Sequence, residues 1–233
     1  FKHSQAVKLI HIVLGALLFL FPFLIPDSAV ENLHNSFSQV KVNQVQAQIQ
    51  TQTTQLALAD YQFQIQRYRQ AHDQYQSTKS SFLAFGTLNS RSEAITATKN
   101  LLNAGAETLR TYLLALRIEL LSVLTVPQDQ KAKLAADLVK QETYLSQYQK
   151  EVDPLTSLEA IASISSSFEK NYPEIHTLSY QTLNVILTGH LQQHIDSIKI
   201  AKTNLQTLSA SASPQELNTT QINQWLTDTD TAL

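Results

Sequence analysis

Glycine occurs only at positions 15, 86, 105 and 189, and from Ala29 to Phe85 neither glycine nor proline interrupts the chain. Tight turns draw on glycine for positive φ, and proline punctuates strands and loops. A chain this poor in both has little material for hairpins, and none for a glycine-rich phosphate loop. It can instead build long helices joined by short connections. Read as one helix, Ala29–Phe85 would be about 85 Å long at 1.5 Å per residue. A competing pattern runs through it. Gln44–Gln52 and Tyr61–Gln66 alternate polar and apolar residues with the period of a half-buried strand. The helix is preferred, because Gln and Ala are good helix formers and no turn residue appears for far longer than a strand lasts. The expected seam runs through Val42, Val45, Ile49, Gln52, Leu56, Ala59 and Phe63, then shifts by a stutter to Ile65, Tyr68, His72, Tyr75 and Phe82.

Further along, Gly86–Asn89 reads as a turn and Ser90-x-x-Glu93 as a capping box opening a second helix to about Leu124. Its stripe is Ile95, Leu102, Leu109, Leu113, Leu116, Leu120 and Val123. Leu101, Tyr112, Leu114, Leu121 and Leu124 widen it, so this helix is expected to be contacted on more than one side. Arg110, Arg117 and Glu119 rule it out as a membrane span. Thr125-x-x-Gln128 is read as the cap of a third helix, and Asp153-Pro154 as the start of a fourth. Pro173 is expected to open a fifth, with Leu183, Leu187, Leu191, His194, Ile198, Ala201, Leu205 and Leu208 on its packed face. Ser209–Ser213 reads as a linker, and Ser213–Glu216 as the start of a short last helix.

The other constraint is compartment. Leu9–Ile25 contains no Lys, Arg, Asp or Glu, and Lys2 and Lys8 precede it while Asp27 and Glu31 follow. That length lies between a signal-peptide core and a spanning helix. Its flanking charges direct the N-terminus inward and the bulk outward. A retained anchor is expected, since Asp27 is a poor −3 residue for cleavage after Ala29 and Ser28-x-x-Glu31 reads as a cap. Cleavage would make the protein secreted. The expected organisation is a membrane-anchor or signal segment over 1–26, an extracytoplasmic helical bundle over 27–212, and a short C-terminal helix and tail over 213–233. With Phe1 first and no Met anywhere, the expectation is a processed N-terminus or a piece of a longer reading frame. The fold class is all-α: an N-terminal membrane-anchor or signal helix, then an elongated antiparallel helical bundle or coiled-coil hairpin.

Composition narrows function mainly by exclusion. Net charge is −2 and no Lys/Arg cluster marks a phosphate-tracking face, so no nucleic acid is expected. There is no Cys, which removes thiolate chemistry, disulfides and Cys-based zinc sites. His190 and His194 carry the i,i+4 spacing of a helix-borne chelate. Leu191, however, stands where an H-E-x-x-H motif places its glutamate. The pair is therefore read as packing, with His194 on the apolar stripe and His190 solvated; no metal or other cofactor is expected. Tyr61, Tyr68, Tyr75 and Phe63 are read as core aromatics rather than a binding surface.

The expected role is a non-enzymatic, membrane-anchored helical bundle acting as spacer, scaffold or protein-interaction module. Its contacts would be the membrane, through Val7–Ile25, and a protein partner or second copy, through helical faces. An N-terminal span followed by long extracytoplasmic helices also resembles the layout of the helical-bundle input domains of chemoreceptors and histidine kinases, which implies a ligand-sensing ectodomain. Gln50–Gln70 resembles the coiled-coil arms of membrane-fusion proteins, which implies a periplasmic adaptor. Fractionating cells that express a C-terminally tagged chain tests the anchor, and tagged protein is expected in the membrane fraction. Soluble tagged protein beginning at Val30 would make the apolar stretch a cleaved signal peptide.

Overall fold

The computed structural model describes residues 44–211 together with Gln224 and Thr227–Thr229. The apolar stretch, the start of the first expected helix and the start of the last one lie outside the described residues. Among the described residues the fold is all-helical, with no strand: α1 (Gln44–Phe85), α2 (Leu88–Ser122), α3 (Gln128–Val152) and α4 (Leu158–Ser211). The Gln-rich alternation is helix throughout α1. None of the described helices is long and apolar enough to cross a membrane.

The partners of successive residues fix the directions. Thr54 meets Glu119, Tyr61 meets Tyr112 and Gln64 meets Thr108, so α1 and α2 run antiparallel. Arg117 pairs with Glu142 and Asn103 with Asp153, which makes α3 antiparallel to α2. Tyr148 stacks on Phe168 and Gln141 bonds Glu174, which makes α4 antiparallel to α3. α2 packs against all the others. It is buried on more than one side, with Leu101, Leu113 and Leu120 fully enclosed. The expected stripe holds from Leu102 to Val123, but Leu121 and Leu124 are exposed, at the end where α2 stops.

Several expected boundaries move. Thr87, not Ser90, caps α2: the Ser90 N–H donates to Thr87 Oγ1 at 3.1 Å. The turn before it works through Gly86, whose φ of +60° is the left-handed conformation that a side chain disfavours. α3 has no side-chain cap, because Thr125 is used elsewhere and Pro127 occupies the N-cap position. Asp153 ends α3 instead of opening the next helix. That task falls to Ser157, whose Oγ accepts from the Ala160 N–H at 3.1 Å.

The largest correction is at Pro173. It opens no helix: α4 runs through it without a break for 54 residues. An internal proline costs a helix about 3 kcal/mol through a missing N–H and a ring clash. Tertiary bonds hold the helix on both sides of it. Asn171 donates to Gln141 Oε1 at 3.0 Å, and Glu174 accepts from Gln141 Nε2 at 2.8 Å. Buried Phe168 and Ile175 anchor the same segment, while Pro173 itself faces solvent.

The seams differ from expectation in a systematic way. On α1 the buried positions are Thr54, Ala57, Tyr61, Gln64, Tyr68 and Tyr75, a heptad with no stutter. Leu56 and Phe63, expected in the seam, are 67% and 58% exposed. On α4 the seam runs Ile161, Ser165, Phe168, Ile175, Ser179, Thr182, Ile186 and Gly189. The expected stripe of Leu187, Leu191 and Ile198 is exposed. Both true seams carry polar residues, and both left-over apolar stripes face outward.

Three substitutions check this packing by chemical denaturation. Leu113→Ala should cost about 2–5 kcal/mol, whereas Leu124→Ala should stay within about 0.5 kcal/mol. Pro173→Ala should raise stability, by up to about 3 kcal/mol.

Candidate functional site at the base of the bundle

The last turn of α2 presents Glu119 inward, where its side chain is only 7% exposed. A carboxylate near a helix C-terminus opposes the helix dipole, and burying it adds a desolvation cost, so it needs a strong partner. His190 of α4 supplies one: its Nε2 lies 2.7 Å from Glu119 Oε1. Thr54 of α1 donates its hydroxyl to the other carboxylate oxygen at a long 3.5 Å. The second imidazole nitrogen, Nδ1, lies 3.1 Å from Gln193 Oε1 on the next turn of α4. One buried carboxylate thus ties three helices together. The hydrogen bond to Glu119 holds the His190 pKa above its usual value, against the opposing effect of partial burial.

The neighbouring Gly189 explains how α4 comes close enough. A Cβ there would sit 2.4 Å from Val123 Cγ1 and 2.8 Å from Val126 Cγ2, so only glycine lets the helix rest on the turn between α2 and α3. Thr125 donates to the Gly189 carbonyl at 2.7 Å and closes the contact. Beyond this point α4 changes character. Every residue from Leu191 to Thr207 is exposed or half-buried. The helix continues as an arm about 33 Å long, from Gly189 to Ser211, at 1.5 Å per residue.

Above the base, Tyr61, Tyr68 and Tyr75 line the α1 seam, and Tyr61 packs on Tyr112 with ring centroids 5.3 Å apart. Burial pushes each of the three α1 phenols up to about 12. They hold their protons near neutral pH and act as core, as the sequence implied, whereas Phe63 is a surface residue.

The two histidines picked out by spacing part company. His190 is half-buried on Glu119, and His194 is exposed, the reverse of the expected roles. The apolar stripe that seemed to pack His194 is the uncovered one. Among the described residues no three His, Asp or Glu side chains gather as a metal site would require. In the sequence Glu119 stands out only as a charge that excludes a span, and Thr54 does not stand out at all. The signal for both was a polar residue at a seam position. Chemically, both ring nitrogens of His190 have partners, and the Thr54 hydroxyl points at the carboxylate and not at the imidazole. A nucleophile activated by a base would need the opposite arrangement.

No protein-family model, curated protein or solved structure matches the chain.

Two variants test the base. Gly189→Ala should lower stability by up to about 2 kcal/mol, as an overpacking cost of about 1–3 kcal/mol less the roughly 1 kcal/mol by which Ala exceeds Gly in a helix. Glu119→Ala should cost about 3–5 kcal/mol, the usual result of stripping one member from a buried pair. Urea titrations followed by circular dichroism measure both, and a Gly189→Ala protein as stable as the parent would show that the Val123–Val126 turn gives way.

Proposed function

We propose that the chain is a non-enzymatic helical-bundle interaction module, held at the extracytoplasmic face of a membrane by Val7–Ile25 and elongated as an antiparallel bundle. The observation that carries the reading is the outward placement of the most apolar stripes. Leu56 and Phe63 on α1, and Leu187, Leu191 and Ile198 on α4, keep seam spacing yet face solvent. Uncovered apolar stripes of this kind mark interaction surfaces. The chain's own core is satisfied without them, because α2 already fills the space between α1, α3 and α4. The α4 arm adds reach, and the base chemistry, with both imidazole nitrogens engaged, agrees with a binding role better than a catalytic one.

A second reading, a ligand-sensing ectodomain, is favoured by one feature at the opposite end of the bundle. A half-open cleft of about 540 Å³ lies between α2 and the α3–α4 turn, with Arg91, Lys99, Asn103 and Asp153 among its lining residues. Its polar groups also serve the fold: Lys99 donates to the Asp153 carbonyl, and Asn103 to the Asp153 carboxylate at 2.7 Å.

Photo-crosslinking in cells expressing the full chain separates the readings. A benzophenone amino acid at Leu191 or Ile198 should yield a discrete crosslinked species, and one at Gln192, on another face of the same helix, should not. Equal yields from both faces, or none from the stripe, would overturn the interaction reading. Thermal shifts with amino or organic acids that disappear in Arg91→Ala would support the sensor instead.

A further inference from the structure

We propose that Glu119 and His190 form a proton-dependent latch that sets how firmly the α4 arm is held to the base of α1 and α2. The idea rests on reading the arm as an interaction surface, and assigns a regulatory input to it. His190 Nε2 faces a carboxylate oxygen at 2.7 Å, and Nδ1 faces an amide oxygen of Gln193 at 3.1 Å. As the Gln193 amide is oriented, both partners are acceptors and both ring nitrogens donate. Only the imidazolium can do that. The raised pKa of His190 agrees with this geometry.

Loss of one proton takes the cation from Glu119 in either tautomer. With hydrogen on Nδ1, a lone pair faces the Glu119 carboxylate; with hydrogen on Nε2, the Gln193 amide turns over to donate to Nδ1, and the bond to the carboxylate survives without its charge. In both cases the carboxylate loses its cation while remaining buried, with Thr54 at 3.5 Å as its other donor. A buried unpaired charge is costly, and the relief nearest to hand is water. Solvent lies close by, since every residue of α4 from Leu191 to Thr207 is exposed or half-buried.

Within two turns of His190 on α4, the other titratable groups are the exposed His194 and the half-buried Asp196. Glu119 of α2 and Gln193 of its own helix face the imidazole, Thr54 of α1 reaches the same carboxylate, and Thr125 of the turn is spent on the Gly189 carbonyl. Of the charges on α1 and α2, Asp60 bonds Gln64 and Arg117 pairs with Glu142. On α4, Asp196 accepts from Gln192 at 2.8 Å. The sign follows from the raised histidine pKa. The latch is fully closed below the unfolded value of about 6.5, and it opens as pH rises through the higher folded value.

The absence of native cysteine makes the test direct. Nitroxide labels on Q55C and N204C, both exposed positions, report the arm-to-base distance by pulsed electron paramagnetic resonance in the full chain in detergent. The expected result is a narrow distance distribution at pH 5.5 that broadens and lengthens towards pH 9. In His190→Gln the distribution should be broad at both pH values, and in Glu119→Gln its pH response should be lost. Circular dichroism on each variant confirms that the bundle is folded, and either variant alone suffices. An unchanged distribution from pH 5.5 to 9 in the parent, or an undiminished pH response in a folded variant, would overturn the latch. Because the measurement needs no partner, its outcome is independent of the crosslinking result at Leu191 and Ile198.

Discussion

The enclosure of α2 is the constraint on which the described structure depends. α1 and α4 make few close approaches to each other, and α1 and α3 reach one another mainly across α2. A helix in that position must be apolar on most of its circumference, and α2 is, with Leu101, Leu102, Leu109, Leu113, Leu116 and Leu120 all buried. Its fully buried threonines are satisfied locally. Thr98 donates to the Ala94 carbonyl at 2.6 Å and Thr111 to the Glu107 carbonyl at 3.0 Å. Glu119 is the exception, since its partners come from other helices. It sits at the end of α2, where burial is beginning to give way to solvent.

This arrangement decides what could be read from the sequence. α2 was legible because its stripe is made of leucine, and a wide leucine stripe has one interpretation. The seams of α1 and α4 were not, because their packed positions include Thr54, Gln64, Ser165, Ser179 and Thr182. An apolar pattern follows the largest side chains, and Leu56 and Phe63 on α1, with Leu187, Leu191 and Ile198 on the distal part of α4, lie outside the seam. The tyrosines Tyr61, Tyr68 and Tyr75 mark the true α1 seam at intervals of seven, a cue that points away from Leu56 and Phe63. Pro173 misled for a different reason. Local propensity puts a boundary there, and only bonds across to Gln141 keep the helix intact, which no local window contains.

The site at the base was half legible. Spacing drew attention to His190, but the partner that defines its chemistry is separated from it by 71 positions. Nothing in the local pattern links a carboxylate in one leucine-rich helix to an imidazole in another. The glycine beside it was a clearer signal than the histidine, since a lone glycine inside a long helix calls for a close neighbour, and here the neighbour is the α2–α3 turn.

A continuous helix of 54 residues also has a mechanical meaning. It is a rod seated over part of its length and cantilevered over the rest, with its last support at Gly189. A tilt of roughly 10° about that support would sweep the far end through about 6 Å, given a rise of 1.5 Å per residue. Sub-ångström changes in hydrogen-bond length at the pivot therefore become displacements comparable to the width of a side chain at the tip. The molecule needs no second domain to convert a small chemical event into a movement that a neighbouring protein can register.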